Sequence, residues 1–135
     1  MSQLATISRV VKARAQRRLL AHGVHAGQQF LLERLWQEDG LAPGELAALI
    51  GVETSTISRE AQRMERAGLV ERRRDPHDAR LVRIYLTSSG RQLQQVVPGI
   101  MDSLTEEALR YLEPGERQQL YRLLDQVRRN LLDES

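Results

Sequence analysis

The segment ELAALIGVETSTISREAQRMERAGLVERRRDPHDARLVRIYLTSSGR, residues 45–91, decides the fold of this chain. Its first half repeats apolar residues at helical spacing on both sides of Gly51, and the second of these helices carries Ile57, Ala61 and Met64 on one face. Its second half contains two runs typical of strands, 69–74 and 81–86, around a polar tip. The order helix, tight turn, helix and hairpin predicts a winged helix-turn-helix, which most often binds DNA.

The outward face of the helix over 54–66 is the first candidate for DNA contact. With its apolar residues turned inward, the helix directs short hydroxyl side chains and arginines outward, and these suit base edges and phosphates. A solvated amphipathic helix is the alternative, but the adjoining turn and hairpin favour DNA contact. The predicted contact residues are Ser55, Thr56, Ser58, Arg59, Gln62 and Arg63, with Arg66 on the same face.

The hairpin tip is the second candidate. Arg80 follows Asp78 by two residues, so the carboxylate can orient the guanidinium, which a narrow minor groove then attracts. A surface salt bridge worth about 0–1 kcal/mol is the alternative interpretation. The DNA-binding residues predicted on this wing are Arg73, Arg74, Asp78 and Arg80.

The rest of the chain is predicted to be helical. One helix starts near Leu4 and closes at Gly23, a second covers about 26–38 with Trp36 in the core, and a third has Pro43 in its first turn. Thr87 is the expected N-cap of a helical region in which the Pro98–Gly99 pair must produce a kink or break, and a last helix begins at Pro114. The predicted fold is mainly α with a small β-hairpin wing.

Composition restricts the class of protein. The chain of 135 residues fits one domain, its lack of cysteine excludes disulfides and thiol sensing, and no apolar stretch is long enough to cross a membrane, so we expect a cytoplasmic protein. Residues 54–91 carry nine basic and five acidic groups, whereas residues 100–135 carry five and eight. No catalytic triad order, phosphate-binding loop or metal-ligand spacing is present, so we expect neither an enzyme, a metal nor a cofactor.

The segment also resembles the MarR family of transcriptional regulators. The resemblance rests on Glu45-Leu46-Ala47, on Gly68-Leu69-Val70, and above all on Asp75-Pro76-x-Asp78-x-Arg80-x-x-x-Ile84-x-Leu86-Thr87-x-x-Gly90. It implies a ligand-responsive repressor that binds double-stranded DNA as a homodimer on a pseudo-palindromic operator. Residues 26–87 would then form the DNA-binding part and residues 1–22 and 88–135 the helical dimerisation part. The helix over 54–66 would enter the major groove and Arg80 the minor groove.

Two positions depart from the family pattern, because Ala42 and Glu53 stand where helix-capping Ser or Thr residues are common.

The resemblance also implies a small phenolic or anionic effector between the two parts of the molecule. His22 and His25 lie near that place and are candidate effector ligands. Alternatively, His25 caps the second helix and Gln28 ties the turn to the hairpin.

The sequence alone also allows a second function. A winged helix can serve as a protein-interaction module without sequence-specific DNA binding. Such a module predicts an apolar or acidic outer face on the helix over 54–66, whereas Arg59, Arg63 and Arg66 occur there. The charge of this face therefore favours DNA binding.

Overall fold

A computed structural model describes residues 2–133 of the chain. Helix α1 spans Gln3–Leu19 and begins at Ser2, whose hydroxyl accepts the N–H of Ala5 at 3.1 Å. A 3₁₀ turn over Leu20–His22 follows and ends at Gly23, which adopts a left-handed conformation (φ 76°). The first predicted helix and its closing glycine are thereby confirmed.

Three further helices build the helix-turn-helix: α2 over Gln28–Gln37, α3 over Pro43–Ile50 and α4 over Thr54–Arg66. Gly51 makes the turn between α3 and α4 possible because its φ of 86° is costly for any residue with a side chain. Ala42 has no side chain that could accept an N–H of the first turn, and Glu45 forms only the reciprocal half of a capping box, since its carboxylate accepts the Ala42 N–H at 3.0 Å. Glu53 forms no side-chain cap on α4.

The predicted wing is an antiparallel hairpin of β1, Val70–Arg74, and β2, Val82–Leu86. Val70 pairs with Leu86 and Arg74 with Val82. The Ile84 N–H donates to the Leu41 carbonyl at 2.9 Å, so the connection between α2 and α3 adds a short bridge to the hairpin. The wing is therefore fastened to the helix-turn-helix at its base.

Three helices follow the wing: α5 over Ser88–Gln92, α6 over Val97–Ala108 and α7 over Pro114–Leu132. Thr87 caps α5 as predicted, with its hydroxyl accepting the Gly90 N–H. The predicted break lies at a 3₁₀ turn over Leu93–Gln95, just before Pro98, which occupies the first turn of α6. No helix within residues 2–133 has the length and apolar character needed to cross a membrane.

The core lies between the second half of α1, the helix-turn-helix, the wing and α6. Trp36 packs against it as predicted and donates its indole N–H to the Gly90 carbonyl at 2.9 Å. By contrast, α7 contributes no buried residue, and the first half of α1 is also exposed. The large apolar side chains left open on these two helices are Leu4, Ile7, Val10, Tyr121, Leu123, Leu124, Leu131 and Leu132.

Candidate nucleic-acid interface

Helix α4 has one buried and one open face. Ile57, Ala61 and Met64 are at most 1% exposed, which fixes the rotation of the helix. The predicted contact residues consequently lie on the other side: Ser55, Arg59, Gln62 and Arg63 are exposed, and Thr56 and Ser58 are half-buried at the flank. Arg63 lies 3.4 Å from Glu60. Within residues 2–133, Arg59 forms no ion pair, so its charge is available on this face.

The base of the wing is held to α4 by Arg72. Its Nε and Nη2 both lie 3.0 Å from Oε1 of Glu65, and its backbone N–H also donates to that carboxylate. The backbone N–H of Arg72, supported by its guanidinium, lowers the pKa of the Glu65 carboxyl below its ordinary value. Arg72 is thus occupied in fixing the hairpin relative to α4.

The predicted wing arginines Arg73 and Arg74 are exposed but engaged. Arg73 pairs with Glu71 at 2.5 Å and stacks over the Tyr85 ring, 4.1 Å from its centroid. Arg74 donates to the Ala79 carbonyl at 3.0 Å. These contacts order both side chains along the hairpin, while their positive charges remain on its surface.

The wing tip presents Arg80 to solvent. Asp78 accepts the Arg80 backbone N–H at 3.0 Å and lies 3.5 Å from its Nε, which is the orientation that the spacing of the two residues predicts. The Arg80 side chain is 94% exposed. The Arg80 guanidinium is therefore open to solvent at the wing tip, with a carboxylate at its base.

A groove of about 760 Å³ lies between the start of α3, α4 and the wing, and Arg80 lines it together with Ser58. Arg83 also lines this groove, although the sequence indicated only that it lies in the strand-like run over 81–86. Its Nε donates to Asp75 at 2.7 Å, and its Nη1 donates to the Gly40 carbonyl at 3.0 Å. The periodicity of a strand carries no signal for these contacts.

The two candidate effector histidines do not share a cleft. His22 lines a shallow depression between α1 and α6, beside the Arg18–Glu107 ion pair, and His25 is not part of that depression. Instead, Nδ1 of His25 lies 3.2 Å from the Gln16 amide nitrogen. The expected cap is also different, because Gly27 is the N-cap of α2.

The proposed link from Gln28 to the hairpin was wrong. The Gln28 amide oxygen accepts the His25 N–H at 3.0 Å, and its amide nitrogen donates to Glu60 of α4 at 3.1 Å. Gln28 is buried at the start of α2, where α4 and not the wing is within its reach.

A cleft that the sequence did not indicate lies between α1, the start of α2 and α6. Its volume is about 450 Å³, and its walls are mostly apolar, with Phe30 and Met101 among them. Lys12, the single lysine of the chain, lines it with Ser8. Within residues 2–133, no three His, Cys, Asp or Glu side chains form a group that could hold a metal ion.

Residues 25–82, which contain the helix-turn-helix and most of the wing, match the sequence model of the MarR family. The HTH-type transcriptional regulator TtmR of Methylorubrum extorquens (strain PA1) is 40% identical over 92 residues, which are 67% of this chain. This chain belongs to the MarR family. It spans 45% of the length of TtmR.

Solved structures extend the likeness to MarR proteins beyond the region that the family model matches. A MarR transcriptional regulator from Methanosarcina mazei Go1 superimposes with a TM-score of 0.87 at 24% identity, covering 98% of this chain and 95% of the other. Staphylococcus aureus MepR, in a complex with DNA, gives a TM-score of 0.84 at 27% identity and 92% coverage of both chains. The MarR fold therefore includes the N- and C-terminal helices of this chain.

Proposed function

We propose that this MarR-family protein is a sequence-specific DNA-binding regulator, and the observation that carries the proposal is the continuous surface of α4 and the wing. Arg59 and Ser55 are exposed on α4, and Arg80 of the wing lines the same groove as Ser58. Such a combination suits phosphates and base edges. MepR, a relative of the same fold, was solved in a complex with DNA, which supports DNA binding by this fold. In this proposal α4 would enter the major groove and Arg80 of the wing the minor groove.

The proposal includes a homodimer. The unburied apolar side chains of α1 and α7, such as Leu4, Leu124 and Leu131, would pack against the same helices of a second copy. Residues 1–22 and 88–135 would then form the dimerisation part and residues 26–87 the DNA-binding part. A two-fold dimer would place its α4 helices on half-sites roughly 10 bp apart in a pseudo-palindrome. We expect it to act on chromosomal DNA in the cytoplasm, as a repressor that covers a promoter.

An effector would act through the cleft that Lys12 lines. The cleft joins α1 and α6 of the dimerisation part to the start of α2, and one cation among apolar walls suits a small aromatic anion. Some dimers would have a spacing of the two α4 helices that does not match the half-sites. A ligand that binds these dimers more tightly would increase their population and so lower the affinity for DNA. Lys12 replaces His22 and His25 as the preferred ligand in this proposal.

The test has two measurements. The purified protein selects fragments from the genomic DNA of its own organism, and light scattering gives the molar mass of the free protein. We expect a dimer that retains fragments sharing one pseudo-palindrome. Retention of no duplex, or of duplexes without a common sequence, would contradict sequence-specific regulation. Salicylate, as a probe of the cleft, should bind the wild type more tightly than Lys12→Met.

A further inference from the structure

Arg83 is the second residue of β2, and its guanidinium contacts the start of the helix-turn-helix instead of extending into solvent. Its side chain is 29% exposed, and that of its partner Asp75 is 12% exposed. The Arg83 Nε donates to Oδ2 of Asp75 at 2.7 Å. This guanidinium, followed by the His77 N–H, lowers the pKa of the Asp75 carboxyl, so the carboxylate stays ionised to a lower pH than an ordinary aspartate.

The same guanidinium reaches the start of α3. Its Nη1 donates to the Gly40 carbonyl at 3.0 Å and lies 3.4 Å from Oε1 of Glu45. That Glu45 oxygen also caps α3 through the Ala42 N–H. Arg83 thus joins the wing to two points of the helix-turn-helix.

Asp75 also forms hydrogen bonds with the wing tip. Its Oδ1 accepts the backbone N–H groups of His77 at 2.7 Å and Asp78 at 3.0 Å. Asp78 in turn holds Arg80 through the backbone N–H and Nε. A connected series of hydrogen bonds therefore leads from α3 through Arg83, Asp75 and Asp78 to Arg80 at the wing tip.

We propose that Arg83 is a positioning residue that fixes the wing relative to α3 and α4 and thereby sets where Arg80 meets DNA. It lines the groove, but its charge is already balanced by Asp75 and Glu45, so it is not a phosphate ligand. Holding the wing tip in its bound arrangement before association reduces the ordering cost of binding. This inference rests on the proposed function, because the wing must contact DNA for its position to matter.

The first test needs no DNA. Hydrogen exchange of the His77 and Asp78 amides is measured by NMR in the free wild type, in Arg83→Gln and in Arg73→Gln. Arg73 faces Arg83 across the hairpin, so its substitution removes the same charge without touching Asp75. We expect faster exchange of both amides in Arg83→Gln alone. Equal exchange rates in the wild type and Arg83→Gln would overturn the proposal that Arg83 positions the wing.

The second test separates positioning from phosphate contact by measuring the Kd for the selected operator against salt concentration. We expect Arg83→Gln to weaken binding roughly tenfold at every salt concentration, with the slope of log K against log salt unchanged. Arg83→Lys keeps the charge but not the planar fork, so it should resemble Arg83→Gln. Thermal unfolding of each variant confirms that folded proteins are compared, and light scattering that they have the same oligomeric state.

Two results would overturn the positioning role. The first is a Kd of Arg83→Gln equal to that of the wild type. The second is a salt slope of Arg83→Gln that is shallower by about 1 for each subunit, together with wild-type affinity of Arg83→Lys, since both would indicate a phosphate contact. Failure of the wild type to bind any duplex would instead overturn the proposed function. In that case the amide exchange would still decide whether Arg83 holds the wing. The two failures are therefore distinguishable.

Discussion

The Gln28 side-chain amide donates a hydrogen bond to the Glu60 carboxylate at 3.1 Å and so connects the start of α2 with the middle of α4. The other end of the same amide accepts the His25 N–H at 3.0 Å. Gln28 is only 2% exposed, and both hydrogen bonds are partly buried. The turn that borders the Lys12 cleft is thereby linked to the helix proposed to contact DNA.

Replacing Gln28 with Met should lower the free energy of unfolding by about 1–3 kcal/mol, because the His25 N–H and the Glu60 carboxylate each lose a partner at a partly buried site while the volume changes little. Denaturant unfolding of both proteins at one concentration measures the difference. Glu60→Gln keeps a polar partner for the amide and serves as the matched control, with a smaller expected loss. A loss below about 0.5 kcal/mol in Gln28→Met would mean that water replaces the hydrogen bonds.

Local patterns were sufficient to predict the helix-turn-helix and the wing. The limits of α4 follow from the spacing of Ile57, Ala61 and Met64 and from the glycines that flank it, and the structure has Thr54–Arg66 as expected. Each of these features acts within a few residues, so sequence order alone indicates them. The orientation of Arg80 by Asp78 is equally local.

Contacts between distant segments could not be predicted in the same way. Gln28 and Glu60 are 32 residues apart, and Arg83 and Gly40 are 43 apart, so these pairs depend on how the elements pack. His22 and His25 show that closeness in sequence does not guarantee closeness of side chains. They are three residues apart, but the left-handed Gly23 reverses the chain between them, and their side chains have different surroundings.

Gly90 should tolerate no side chain. A Cβ at this position would overlap the Leu69 carbonyl oxygen, a backbone atom that is held in place because it accepts the Thr87 N–H at 3.0 Å. The Gly90 carbonyl is itself bonded to Trp36. We expect Gly90→Ala to cost about 1–3 kcal/mol, measured by denaturant unfolding.

Gly99 offers a matched control for this substitution, since it lies in α6 and a Cβ there would meet no atom within 4 Å. Gly99→Ala should stabilise the protein by about 0.5–1 kcal/mol, because alanine loses less backbone entropy in a helix. If both variants were equally stable, the close approach of Gly90 to Leu69 would not constrain the fold.

Glu33 should weaken the fold at neutral pH. Burial raises the pKa of its carboxyl above the ordinary 4.5, and Asp102 adds to the effect while Arg34 opposes it. A raised pKa means that the folded protein prefers the neutral acid, so the penalty is absent below pH 4.5 and complete above the folded pKa. Glu33→Gln should therefore be more stable than the wild type at pH 7.

Thermal unfolding at pH 7 and at pH 4 checks the Glu33 prediction. The advantage of Glu33→Gln should shrink as the pH falls, because the wild-type carboxyl becomes neutral. Asp102→Asn removes one of the two causes and should lower the pKa of Glu33 in an NMR titration. An equal advantage at both pH values would indicate a packing effect instead of the ionisation of Glu33.

Arg80 should supply affinity through its charge. Its side chain is 94% exposed and forms its closest ion pair with Asp78 at 3.5 Å, so its guanidinium is available to a DNA groove. Arg80→Gln should weaken operator binding and make the slope of log K against log salt shallower by about 1 for each subunit, since fewer counterions are released. Arg122→Gln, an exposed position on α7, removes the same charge away from α4 and the wing and should leave both quantities unchanged. If the two variants lost affinity equally, the net charge of the dimer and not the wing would govern binding, and Arg80 would have no specific role.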